Sequence, residues 1–225
     1  MTEQLIDNEK LVLDIIRDYL NKSRILDPET IVPFIQSRLK ESSLYLTYYA
    51  IELILKSLLK QKLIVKASKL THDDILKNEK RRNIFEFILE HPGTHFNKIV
   101  TILNLSGHVV VWHLNMLLKF SFVKKEVIDD HDVYSIPDVN IKTVELSYYI
   151  SKKKSQTIIN YLKQNDIGIT KTKLSSALQM HINTVNKYLK ILEDNEIVST
   201  ERHSNKSLYF LNDNIPKEIR VLLTE

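Results

Sequence analysis

The chain of 225 residues contains no cysteine and only three glycines and five prolines. Without cysteine there can be no disulfide, no thiolate zinc site and no cysteine nucleophile. The glycines, at 93, 107 and 168, are isolated, which excludes the glycine-rich phosphate loops of Walker and dinucleotide sites. No apolar run approaches the roughly 20 residues that a membrane helix needs. The opening "MTEQLIDNEK" carries acids where a signal peptide would carry an apolar stretch, so no secretory leader and no membrane insertion are expected. These absences suit a cytoplasmic protein. What is abundant is leucine, isoleucine and lysine, a helix-favouring mixture. Hydrophobic residues make up 43% and charged residues 27%, as in ordinary globular domains.

The formal charge is +4. Residues 1–79 and 80–150 are each balanced, and the whole excess falls in 151–225. A basic segment joined to neutral ones is what a polyanion-binding domain would show, although a solvated basic surface would look the same.

An internal repeat organises the chain. With an offset of 75, residues 98–138 align without a gap on 173–213. Leu103, Val110, Leu114, Leu117, Val123 and Tyr134 then meet Leu178, Val185, Leu189, Leu192, Val198 and Tyr209. Each copy begins with a helix, about 81–91 or 155–165, whose apolar residues recur at three- and four-residue steps: Ile84, Phe87 and Ile88, or Ile158, Ile159 and Leu162. A short helix follows, in the second case with Thr170 as its N-cap. After a tight turn, "LSGH" or "MHIN", a third helix runs to about Phe120 or Asn195. Two strands close each copy across the polar turns "DDHD" and "SNKS". This order of elements is that of a winged helix.

A fainter copy stands at the front. With an offset of 59, Ile51, Leu55, Leu58 and Ile64 meet Val110, Leu114, Leu117 and Val123. Two helices precede it, the second with Asp27 as N-cap and Pro28 at its first position. No return strand follows Lys66, so this copy reads as degenerate. The expected fold is mainly α with small β-hairpin wings, an α+β arrangement of three tandem winged-helix domains at 1–72, 73–140 and 141–225. The join around 141–150 has an apolar face at Val144 and Tyr148, which predicts a stiff helical connection.

Residues 92–117 carry Pro92, Gly93, His95, Phe96, Ile99, Leu105, Ser106, His113, Leu114 and Leu117. This pattern resembles the winged helix-turn-helix of archaeal transcription regulators of the broad ArsR/MarR type. The likeness is good over 81–137, fair over 155–213 and weak over 1–72. It implies the fold and DNA-dependent regulation, but winged helices also serve as protein-binding modules.

The residues themselves divide the labour. With Val185, Leu189 and Leu192 facing the core, the last copy turns Asn183, Thr184, Asn186, Lys187 and Lys190 outward. Asparagine can bridge an adenine edge, threonine can touch a thymine methyl, and lysine can reach guanine or phosphate. Thr170, Lys171 and Lys173 stand at a helix start, where phosphate is attracted. Arg202, Asn205 and Lys206, with His203, form a basic wing tip. These are the expected contacts to double-stranded DNA.

The middle copy instead turns out His108, Val109, Val111, Trp112 and Asn115, and its wing is acidic, which phosphate repels. Three readings stand open for this helix: an interface to protein, a rotated helix with Trp112 in the core, or DNA contact. The first copy's third helix is also apolar on more than one side, including Tyr48 and Tyr49. A homodimer or protein partner through the first two domains would cover Val109, Val111, Trp112, Tyr48 and Tyr49; burial within the chain is the alternative for the two tyrosines.

Five of the eight histidines, 91, 95, 108, 113 and 131, fall in the middle copy, but Pro92 and Gly93 keep His91 and His95 off a common helix face. With no thiolate and no repeated spacing, no metal or other cofactor is expected. No catalytic triad or paired carboxylates emerge, and an enzyme is not expected. The leading reading is a DNA-binding transcription regulator. The other is a winged-helix interaction scaffold, resembling subunits of the ESCRT-II complex or general transcription-factor subunits.

Overall fold

The structure is a computed structural model that describes residues 2–22, 25–41, 45–203 and 205–212. It is mainly helical with small antiparallel sheets. Two compact units divide it: one takes the chain up to Leu89 together with Phe96–Lys125, the other takes Glu90–His95 and the chain from Glu126 onward.

The first unit opens with α1 (Thr2–Asn21), α2 (Pro28–Glu41) and α3 (Tyr48–Lys60). Their apolar residues recur at helical spacing and close into one core of Val12, Ile16, Leu20, Ile31, Ile35, Leu39, Ile51, Leu55, Leu58 and Ile64. Local chemistry sets the starts. Pro28 begins α2, and the Glu29 N–H donates to Asp27 Oδ1 at 3.3 Å. Thr47 caps α3 by accepting from the Ala50 N–H at 3.2 Å. Beyond α3 the chain is tied back through Leu26, which donates to the Ser68 carbonyl and accepts from the Ala67 N–H. Among the described residues no strand precedes Thr94. The one-turn α4 (His72–Ile75), α5 (Glu79–Glu90), α6 (Phe96–Ile102) and α7 (Gly107–Lys119) follow. The chain turns by 119° between α6 and α7, within the range of a helix-turn-helix.

A three-stranded sheet follows, of β1 (Thr94–His95), β2 (Lys124–Ile128) and β3 (His131–Ser135), in the order β1-β3-β2. Asp129 and Asp130 alone join β2 to β3, and both are left-handed, at φ +49° and +60°. Two successive positive φ values are the geometry of a type I′ hairpin turn, which Asp tolerates. Next comes α8 (Ile141–Ile150), the helical connection that the Val144 and Tyr148 spacing predicts, capped by Asn140. It is buried on two sides. Val144 and Tyr148 pack with Ile128 and Val133 of the preceding hairpin. Leu146 and Ile150 join the core formed by α9 (Lys153–Lys163), α10 (Lys171–Ala177), α11 (Ile182–Asp194) and the hairpin β4 (Val198–His203) and β5 (Lys206–Leu211).

The offset of 75 recurs in the geometry. It carries the bounds of α6 onto α10 and those of α7 onto α11. Three positive-φ pairs obey it, Gly93 with Gly168, Asn104 with Gln179 and Ser121 with Glu196, and Lys62 matches Ser121 at the offset of 59. The β1–β3 pair Thr94–Tyr134 has its counterpart in the isolated bridge Ile169–Tyr209.

Among the described residues, no single helix is long and apolar enough to cross a membrane.

Candidate nucleic-acid interface

α10 and α11 hold their mutual geometry through local bonds. Thr170 is the N-cap expected, its side chain accepting from the Lys173 N–H at 3.3 Å. The Lys171 ammonium reaches across to Asn186 Oδ1 at 2.9 Å, tying the start of α10 to the outer face of α11. The intervening turn is closed by Ser175, whose hydroxyl donates to the Met180 carbonyl at 2.6 Å. His181 Nδ1 accepts from the Asn183 N–H at the start of α11.

Val185, Leu189 and Leu192 are buried in α11. The opposite side carries Asn183, Asn186, Lys187 and Lys190, all exposed, with Thr184 half-buried at the edge. Lys173 is exposed at the start of α10, and Lys171 is half-buried by its bond to Asn186. The β4–β5 register pairs Arg202 with Ser207 and His203 with Lys206, so Arg202, Asn205 and Lys206 cluster at the hairpin tip, all exposed. Every residue expected to contact DNA thus lies on α10 or its N-cap, on α11 or at this tip. Acidic neighbours temper the cluster: Glu193 and Asp194 end α11, and Glu201 lies 3.4 Å from His203.

Lys187, of this set, is held by a carboxylate. Lys187 Nζ donates to both carboxylate oxygens of Asp129, at 2.9 and 3.0 Å. The Tyr149 hydroxyl donates to the same carboxylate at 3.0 Å. Partial burial raises the Asp129 pKa, but the bonds from Lys187 and Tyr149 outweigh it and hold the carboxyl below its ordinary value. The Tyr149 phenol is pushed up to about 12, first by burial and then by Asp129. Neither Asp129 nor Tyr149 stands out in the sequence, because the contact spans 58 positions and no local pattern announces it.

α7 presents a different surface. Val110, His113, Leu114 and Leu117 are buried, whereas Val111 and Trp112 are exposed, Trp112 by 55%. Val109 is half-buried. The helix is therefore not rotated to put Trp112 in the core. The Arg81 guanidinium lies over the indole, 5.2 Å from the ring centroid, and donates to the Ile75 carbonyl at 2.9 Å. Arg81 is buried, a role that its place at the charged start of α5 does not suggest. Burial, followed by the charges of Arg81 and Lys80, lowers the pKa of His113 and favours the neutral ring. On α3, Tyr48 and Tyr49 are exposed beside Leu53. His95 and His131 approach to 6.5 Å between ring centroids, and among the described residues no group of three metal-ligating side chains forms.

Two helices joined by a tight turn, the second with a polar outer face, make α10–α11 a helix-turn-helix. The chain is 28% identical over 148 residues, 66% of its length, to an uncharacterized HTH-type transcriptional regulator of Methanocaldococcus jannaschii. It spans 37% of that protein's length. No family model matches the chain.

Proposed function

We propose that the chain is a cytoplasmic, DNA-binding transcription regulator of the ArsR/MarR-like type, built from three tandem winged-helix domains at 1–72, 73–140 and 141–225. One observation carries the reading: the outer face of α11, the start of α10 and the β4–β5 tip bring Thr170, Lys171, Lys173, Asn183, Thr184, Asn186, Lys187, Lys190, Arg202, Asn205 and Lys206 onto one small unit. α11 enters the major groove with Asn183, Asn186 and Lys187 toward base edges. The cations of α10 and the wing grip the flanking phosphates, which positions the helix without reading sequence. The archaeal regulator matched over two thirds of this chain supports the same role. Binding is the whole activity in this reading, with no catalytic step and no cofactor.

The test is binding to labelled random duplex DNA across a salt series. Lys187→Ala and Arg202→Ala should each lower the slope of log affinity against log salt by about one. Lys60→Ala, on α3 in the other unit, should leave it unchanged.

The exposed Val111, Trp112, Tyr48 and Tyr49 favour a second, compatible activity, protein binding through the first two domains, as in a scaffold or homodimer. Trp112→Ala removes a half-covered indole and its cation–π contact with Arg81, so it should cost the fold about 1–3 kcal/mol. If α7 joins subunits, the variant should dissociate in analytical ultracentrifugation. Wild-type size would rule that interface out.

A further inference from the structure

The proposed DNA-reading face meets an acid from its own chain. Lys187 is two residues beyond the buried Val185, hence about 200° around α11, almost directly opposite the core. It is in the centre of the face that would enter the groove. There its ammonium meets the Asp129 carboxylate in a two-oxygen contact.

Three features set that carboxylate in place. The type I′ turn gives the β2–β3 tip a fixed backbone, with Asp129 left-handed. The Tyr149 hydroxyl binds Oδ1 from α8. α8 itself is anchored on both sides, by Val144 and Tyr148 against the β2–β3 hairpin and by Leu146 and Ile150 against the α11 core. The hairpin tip is therefore held at α11 by a packed helix.

The pair is built to exchange. The Lys187 and Asp129 side chains are 49% and 34% exposed, so water and salt screen their attraction. A carboxylate presenting two oxygens to an ammonium also offers what a phosphate offers, a compact anion with several acceptors.

We infer that Asp129 is a built-in phosphate surrogate: in the free protein it occupies Lys187, and it must release that lysine before α11 can engage a duplex. The inference rests on the DNA-binding reading above. DNA and Asp129 then compete for one ammonium. Engagement of α11 loosens the β2–β3 tip, and anything that draws that tip away raises DNA affinity. Asp130 and Asp132 beside it add to the repulsion that an approaching phosphate backbone meets.

The experiment compares the full chain with Asp129→Asn on random duplex DNA over a salt series. Asparagine tolerates the left-handed turn and keeps an acceptor for Tyr149 while removing the charge. The variant should bind about two- to fivefold more tightly, as expected for an exposed ion pair removed from the competition. The gain should shrink as salt rises, because screening weakens the competing Lys187–Asp129 pair. Tyr149→Phe leaves the turn untouched and should show a smaller gain in the same direction. In a Lys187→Ala background Asp129→Asn should bring no gain. Equal or weaker binding by Asp129→Asn, with the wild type bound, would overturn the inference and leave the DNA reading standing. An absence of binding by both proteins at low salt would overturn that reading and the inference with it.

Discussion

Replacing Gly93 by alanine should cost about 2–4 kcal/mol and lower the melting transition by roughly 5–15 °C. Gly93 is at φ +83°, where an L side chain is strained by about 1–2 kcal/mol. Its Cβ would also come 2.5 Å from the Val144 carbonyl oxygen and 3.0 Å from the Tyr148 nitrogen. Both atoms belong to the backbone of α8, so neither can swing aside as a side chain would. The Gly93 N–H meanwhile donates to the Tyr134 carbonyl at 2.9 Å, which fixes the residue against the sheet. Relief of the clash must shift α8 itself, the helix that packs on the β2–β3 hairpin and on the α11 core. Gly107→Ala is the matched control. Its φ is not positive, its Cβ would meet only the Phe96 ring at 3.7 Å, and it opens α7, so it should be neutral or slightly stabilising. Calorimetry of the two variants checks the pair. A Gly93→Ala protein as stable as the wild type would mean that α8 does not press on this loop.

Periodicity carried the sequence far where packing is local. Val110, Leu114 and Leu117 at three- and four-residue steps picked the inward side of α7 but left a rotated helix open, and the exposed Trp112 decides against that rotation. The same logic aligned α10 and α11 with α6 and α7, because a helix-turn-helix tolerates no slip between its apolar positions. Two kinds of feature escaped it. β1 is two residues long, too short for a period-two pattern to register, and it exists because Gly93 donates to Tyr134 across the sheet. The Lys187–Asp129–Tyr149 contact and the buried Arg81 under Trp112 join residues that no single element contains. Such polar contacts depend on where whole elements come to rest. The acidic turn "DDHD" was readable as hostile to DNA; its attachment to Lys187 on the outer face of α11 was not. Residues 213–225 lie outside the described residues, so the sequence reading of that segment has no structural counterpart.

The most direct test of the central claim is the salt dependence of wild-type binding to random duplex DNA. Lys171, Lys173, Lys187, Lys190, Arg202 and Lys206 supply six cations on α10, α11 and the β4–β5 hairpin tip. Each phosphate contact contributes about −0.9 to the log–log slope, so the full set corresponds to a slope of about −5. Affinity should then fall on the order of a thousandfold between roughly 50 and 200 mM salt. A slope near zero, or no binding at low salt, would contradict the account and leave the α7 and α3 surfaces as the seat of whatever the protein recognises.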